Sequence, residues 1–140
     1  MQYESINYQV EPELGVEEFI GVLVRSTLGE RRPVSDRDRM LQMLTHANLI
    51  ITARHPNGDL IGVARCITDF VYCTYLSDLA VDLEFQHRGI GKQLIREVKI
   101  ATPKSKLILL SAPDALNYYP KIGMTRSDRC FVLDNMEDLS

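Results

Sequence analysis

Apolar residues recur at helical spacing in three stretches, with strand-like runs between them. Residues 6–10 read as a short first strand, closed by Pro12 and Gly15. Val16, Phe19, Ile20, Leu23, Val24 and Thr27 follow the helical repeat and predict an amphipathic first helix, which Gly29 stops. After a loop over residues 30–34, Ser35 is the expected N-cap of a second helix, with Asp38 three residues on. Met40, Leu41, Met43 and Leu44 form its buried stripe. Residues 49–53 and 60–67 read as strands joined by the turn His55-Pro56-Asn57-Gly58-Asp59, in which Asn-Gly is a hairpin signal. A further strand covers 72–81. Ile90, Leu94, Ile95, Val98 and Ala101 mark the inner face of a third helix, which Pro103 terminates. Residues 107–110 are wholly apolar and predict an interior strand. A short helix is expected over 115–122, and a last strand or pair of strands over 124–133.

This order, β-α-α-β-β-β-α-β-α-β, suits one α/β domain over residues 1–140, with helices on both faces of a mixed sheet. A chain of 140 residues is an ordinary single-domain length. No apolar run approaches the length of a membrane span. The start, Met1-Gln2-Tyr3-Glu4, has no basic segment followed by an apolar one, so no signal peptide is expected. Cys66, Cys73 and Cys130 suit neither a disulfide framework nor a Cys-x-x-Cys zinc site. Free cysteines in strands are commonly buried and inert. His46, His55 and His87 show no metal spacing. A reduced, cytoplasmic setting is the default expectation, with no metal.

Charge is uneven along the chain. Residues 86–106 carry six basic groups (Arg88, Lys92, Arg96, Lys99, Lys104, Lys106) against Glu97, a net of +5, within a chain whose total is −3. The positive stretch is short and lacks an RNA-binding signature, so nucleic acid is not an expected partner. It coincides with the most informative segment, Gln86-His87-Arg88-Gly89-Ile90-Gly91, which joins a strand to the third helix. The first N–H groups of a helix have no intrahelical acceptor and, with the helix dipole, attract anions. Gly89 and Gly91 lack a Cβ, so a phosphate can approach the main chain closely. Lys92 is followed by Gln93, unlike a Walker loop, and Leu94 stands where a dinucleotide fingerprint has its third glycine. Arg96 and Lys99 read equally as a solvated helix face.

Gln86-His87-Arg88-Gly89-Ile90-Gly91 resembles the Gln/Arg-x-x-Gly-x-Gly/Ala signature of the GNAT superfamily of N-acetyltransferases. About thirty residues on, Tyr119-Pro120-Lys121-Ile122-Gly123-Met124 is similar to that family's Tyr-x-Lys-x-Gly-Phe. The resemblance covers residues 48 to about 132; the first third is similar only in coarse pattern. It implies a GNAT-like central sheet of six to seven strands, splayed between the fourth and fifth. It also implies acetyl-CoA as co-substrate. The backbone of Leu79, Ala80 and Val81 would pair with the pantetheine arm as an added strand. The N–H groups of His87, Arg88, Gly89, Ile90, Gly91 and Lys92 would hold the pyrophosphate. Ser111 and Asn117 are further cofactor contacts, although Asn117 also suits the start of the short helix. The acceptor would be a primary amine of a small molecule or peptide, acetylated by direct transfer. Homodimers are common among proteins of this kind.

Tyr119 matches the family tyrosine whose hydroxyl reaches the sulfur, which implies a general acid; the alternative is a packed aromatic. Neighbouring Tyr118 is expected to be core. In polyamine acetyltransferases of the family a Glu-Asp pair stands where this chain has Ser77-Asp78. Asp78 is thus a candidate base, directly or through water, or else a strand holder, a bulge cap or an attractor of cationic acceptors. Asp82 and Glu84 read as loop formers. Arg31, Arg32 and Arg65 favour an acceptor with a carboxylate or phosphate, Asp69 and Asp78 a polyamine or amino sugar. A non-catalytic acyl-CoA-binding module is the rival reading: it would keep residues 86–92 and need no Tyr119.

Overall fold

A computed structural model describes residues 5–140; the stretch Met1–Glu4 lies outside the described residues. The chain divides into two compact units, Met1–Leu110 and Ser111–Ser140. The first holds a five-stranded sheet in the order β1 (Asn7–Val10), β2 (Leu49–Arg54), β3 (Leu60–Thr68), β4 (Cys73–Val81) and β5 (Lys106–Ile108). The first four strands are antiparallel neighbours, and β5 runs parallel to β4.

Helices cover both faces, which is why β2 and β3 are buried almost throughout. On one face α1 (Val16–Ser26) and α2 (Arg37–His46) bury Phe19, Val22, Leu23, Met40 and Leu44 against Ile50, Leu60, Val63 and Ala80. On the other, α3 (Ile90–Ala101) packs on β2, β3 and β4 through Ile90, Leu94, Ile95 and Val98. A buried chain of hydroxyls pins the root of β4. Thr68 Oγ1 meets Thr74 Oγ1 at 2.7 Å, and Thr74 Oγ1 meets Ser105 Oγ at 2.5 Å.

Several expectations need correction. The sheet has five strands among the described residues, not six or seven. Residues 124–133 form no strand, although Phe131, Val132 and Leu133 have the residue types of one: strand residues become a strand only when a neighbour satisfies their backbone, and none among the described residues pairs here. The apolar run 107–110 is not interior. Among the described residues β5 is the sheet edge and pairs with β4 alone, and Ile108 and Leu110 are exposed. Asp36, not Ser35, caps α2 by accepting from Arg39 N at 3.1 Å. The helix expected over 115–122 is a 3₁₀ turn, Pro113–Ala115, followed by the single-turn α4 (Tyr118–Lys121).

The first helix ends at Ser26, before Gly29, because Thr27 itself takes the left-handed conformation at φ 74°. A β-branched residue is strained there. Thr27 is exposed, so Thr27→Gly is expected to stabilise the protein by roughly 0.5–1 kcal/mol, the relief of left-handed strain less glycine's entropy. Urea unfolding reads the gain; an equal or lower midpoint would mean the strain is absent.

Candidate functional site

β4 carries two irregularities that set the site. Its pairing with β5 lasts only three positions, Cys73–Lys106, Thr74–Leu107 and Tyr75–Ile108. From Leu76 to Val81, which includes Leu79, Ala80 and Val81, no strand among the described residues pairs with the edge turned from β3. Against β3, Arg65 pairs with Asp78 and Cys66 with Leu76, so Ser77 has no opposite number and forms a β-bulge. A bulge twists its strand and re-aims nearby groups.

The bulge is braced by three side chains. Asp78 has no exposed surface. Its Oδ1 accepts from Arg32 Nε at 2.5 Å, and its Oδ2 accepts from Arg65 Nε. Arg32 Nη2 also donates to the carbonyl of Ser77 at 2.8 Å, and Arg65 Nη2 to Ser77 Oγ at 2.9 Å. Arg65 Nη1 reaches Met43 O at 3.0 Å, which ties α2 to the same point. The loop between α1 and α2 is thereby held over the bulge. This brace was only partly visible in the sequence. Arg65 lies inside the apolar run Leu60–Thr68, and a charge in a buried strand needs a partner. That rule called for a carboxylate without naming Asp78 or adding Arg32.

β4 leads into the Gln86–Gly91 segment through a 3₁₀ turn, Leu83–Phe85. Asp82 caps that turn, accepting from Glu84 N at 3.0 Å, and accepts from Arg25 Nε of α1 at 2.8 Å. Gln86 does not point outward: its Nε2 donates to Val81 O at 2.9 Å and closes the segment onto the end of β4. His87 and Gly89 both have positive φ, 64° and 81°. Gly89 is the N-cap of α3 and supplies no side-chain cap. The first backbone bond of the helix is Gln93 N to Gly89 O, at 3.0 Å. The N–H groups of Ile90, Gly91 and Lys92 therefore precede the intrahelical ladder. A Cβ placed on Gly89 would meet nothing within 4 Å. Ile90 is buried and anchors the turn, while His87, Arg88, Gly89 and Lys92 are exposed. Arg88 lies over the Phe85 ring at 5.0 Å and donates to Glu84 O at 3.2 Å. Of the two ambiguous cations, Lys99 donates to Ser105 O at 2.5 Å and Arg96 to Gln93 Oε1 at 2.6 Å.

Ser111, Asn117 and Tyr119 belong to the second unit. Ser111 Oγ donates to Ala112 O at 2.7 Å. Asn117 stands at the N-terminus of α4 and makes no side-chain cap. The Tyr119 carbonyl accepts from Ile122 N at 3.2 Å and from Met124 N at 3.1 Å, while Gly123 N returns to Pro120 O at 3.2 Å. This is a Schellman turn. Its left-handed position falls on Gly123, at φ 100°, which accounts for the glycine of that motif. Burial, and then the neighbouring Tyr118, push the Tyr119 phenol above its ordinary value of 10. Tyr118 is not core: it is 37% exposed and packs edge-on against Tyr119 at 5.2 Å.

Burial pushes the Cys66 thiol up to about 12, the inert behaviour expected of it. Cys73 and Cys130 are exposed instead. Among the described residues no three His, Cys, Asp or Glu side chains gather as a metal site, and no helix is long and apolar enough to cross a membrane.

Comparisons with known proteins agree with this geometry. Residues 17–138 match the acetyltransferase (GNAT) domain family. An uncharacterized N-acetyltransferase, ycf52, of Porphyra purpurea is 30% identical over 90 residues, covering 59% of this chain and 51% of the relative. Its counterpart in Pyropia yezoensis is 30% identical over 81 residues, covering 55% and 46%. The chain thus spans about half the length of the curated relatives it matches. A GNAT-family acetyltransferase of Streptococcus pneumoniae superposes with a TM-score of 0.78 at 17% identity, covering 94% of this chain and 99% of the other. Aminoglycoside N-acetyltransferase AAC(6')-Iy, solved with CoA, gives 0.73 at 16%, covering 96% and 97%. These two likenesses speak for the fold alone. The bulged fourth strand, the capless glycine turn at the head of α3 and the match over residues 17–138 come together in one conclusion: the chain belongs to the GNAT acetyltransferase family.

Proposed function

We propose that the protein is an acetyl-CoA-dependent N-acetyltransferase that acts on a primary amine by direct transfer. The observation that carries this reading is the turn into α3. It offers backbone N–H groups, open space over Gly89 and exposed Lys92 in one place. A pyrophosphate fits such a place. Coenzyme A bound to AAC(6')-Iy supports the same ligand here. In this reading His87 to Lys92 take the diphosphate and Gln86 keeps the turn in register with β4. The unpaired edge at Leu79, Ala80 and Val81 takes the amides of the pantetheine arm. Ser111 and Asn117 contribute side-chain hydrogen bonds. The family match runs through both units, which supports one functional domain over residues 1–140.

The amine nitrogen attacks the thioester carbonyl carbon, and the C–N bond forms. A backbone N–H around Leu79 to Val81 steadies the oxyanion. The C–S bond then breaks, and Tyr119 gives its phenolic proton to the departing thiolate; the surplus amine proton goes to water, which also restores the phenol. Of the roles open to Asp78, its contacts favour holding the bulge over taking the proton. Both of its oxygens already accept from guanidinium groups, and no solvent reaches it.

The test is an acceptor screen with purified protein, following free thiol release. Tyr119→Phe should lower kcat about 100-fold while calorimetric acetyl-CoA affinity stays within twofold. With Tyr119 pushed above 10, the phenol stays protonated at neutral pH. The alkaline fall in wild-type rate is therefore expected above pH 10. Full activity of Tyr119→Phe would remove the acid role. Acetyl-CoA binding without turnover of any amine would favour the non-catalytic acyl-CoA module.

A further inference from the structure

The brace at the bulge is electrically unbalanced. Arg32 and Arg65 bring two positive charges to β4, and Asp78 returns one negative charge. Among the described residues neither arginine has another ion pair. Arg65 is 6% exposed, and the Arg32 side chain is 23% exposed. An excess charge so poorly hydrated favours a counter-anion.

Arg32 is the member able to meet one. Its Nε is on Asp78, its Nη1 on Arg31 O at 2.8 Å and its Nη2 on Ser77 O at 2.8 Å. A guanidinium carries about five N–H donors, so one on each terminal nitrogen has no partner among the described residues. Arg65 is buried and its three nitrogens are all engaged within the brace. Exposed Arg31, next in the chain, adds to the positive field. Of the two carboxylates that would have favoured a polyamine, one is committed within the protein and the other holds its own turn through one oxygen. Asp78 is inside the brace. Asp69 Oδ1 accepts from Val71 N, Tyr72 N and Cys73 N, at 3.0, 2.8 and 3.0 Å.

We propose that Arg32 is a specificity-determining residue, and that the acceptor is an amine which also carries a carboxylate. The carboxylate docks on the terminal nitrogens of Arg32 beside Ser77, and so brings the amine to the unpaired edge of β4. This inference rests on the acetyltransferase reading.

The experiment uses the full chain, acetyl-CoA and matched acceptors: α- and ω-amino acids against their amides, with thiol release as readout. For at least one pair the acid should have a KM about tenfold or more below that of its amide, the worth of a charge-assisted contact. Arg32→Gln should bring the acid-to-amide KM ratio close to one, any loss from the loosened brace falling on both acceptors alike; Arg32→Lys should keep part of the preference. Amides that serve as well as acids would overturn the proposal, and so would a preference that survives Arg32→Gln. If Arg32→Gln fails to fold, the wild-type ratio decides alone. If no amine turns over, the same acids are titrated calorimetrically into the acetyl-CoA-loaded chain, and absence of binding overturns it. Acetyl-CoA titrated by itself reports separately on the parent reading.

Discussion

Asp78→Ala is expected to cost about 3–5 kcal/mol of stability, the range for breaking a buried ion pair from one side. The loss is large because the substitution leaves Arg32 and Arg65 facing each other with no anion between them. It also loosens the α1–α2 loop on β4, since Arg32 Nη2 on Ser77 O is then the remaining bond from that guanidinium to the strand. Domains of this size are stable by only about 5–15 kcal/mol, so the variant should unfold at a far lower urea midpoint or fail to accumulate. Asp78→Asn separates stability from chemistry. It keeps the shape and two polar atoms, and should fold with a smaller loss. If it does so with an unchanged pH–rate profile, Asp78 holds the bulge; a displaced acidic limb would restore the base role. A loss below about 1 kcal/mol for Asp78→Ala would contradict the brace.

Gly89→Glu should abolish acetyl-CoA binding, with at least a 100-fold loss by calorimetry. Two causes act together. The residue sits at φ 81°, where any Cβ costs about 1–2 kcal/mol. The new carboxylate would also extend into open space over the helix N-terminus and repel a diphosphate there. Gly89→Ala divides these causes: it carries the backbone strain without the charge, and should lose stability but only a modest part of the affinity. Since nothing lies within 4 Å of the added Cβ, both variants should remain folded. Unchanged affinity in Gly89→Glu would show that the diphosphate binds elsewhere.

The local grammar of the chain was legible where one residue type can do one job. Gly89 and Gly123 were legible as members of the two motifs, and both take left-handed positions that favour glycine. The apolar stripes of α1, α2 and α3 carried their own period: Val16, Phe19, Leu23, Met40, Leu44, Ile90, Leu94, Ile95 and Val98 are buried as it selects, whereas Val24, Thr27 and Leu41 are exposed and Val22 is buried in their stead. The strand tract 124–133 misled because β-propensity is a preference for a partner rather than a conformation held alone. The run 107–110 misled because an apolar composition does not distinguish a strand flanked on both sides from one at an edge.

The sequence by itself determined the order of elements as far as the short helix α4, the anion-seeking turn and the family signatures, because these depend on backbone rules acting over a few residues. Only the tertiary structure decided what the charges do. Arg32, Arg65 and Asp78 are 33 and 13 residues apart in the chain, and each alone read as a candidate for binding an acceptor. Folding brings them within hydrogen-bonding distance in a place with little water. There a carboxylate is held between two guanidinium groups and one positive charge is left over. Whether a charge is bound within the protein or offered to a ligand depends on its neighbours in space, and pairing between distant segments has no local pattern to betray it.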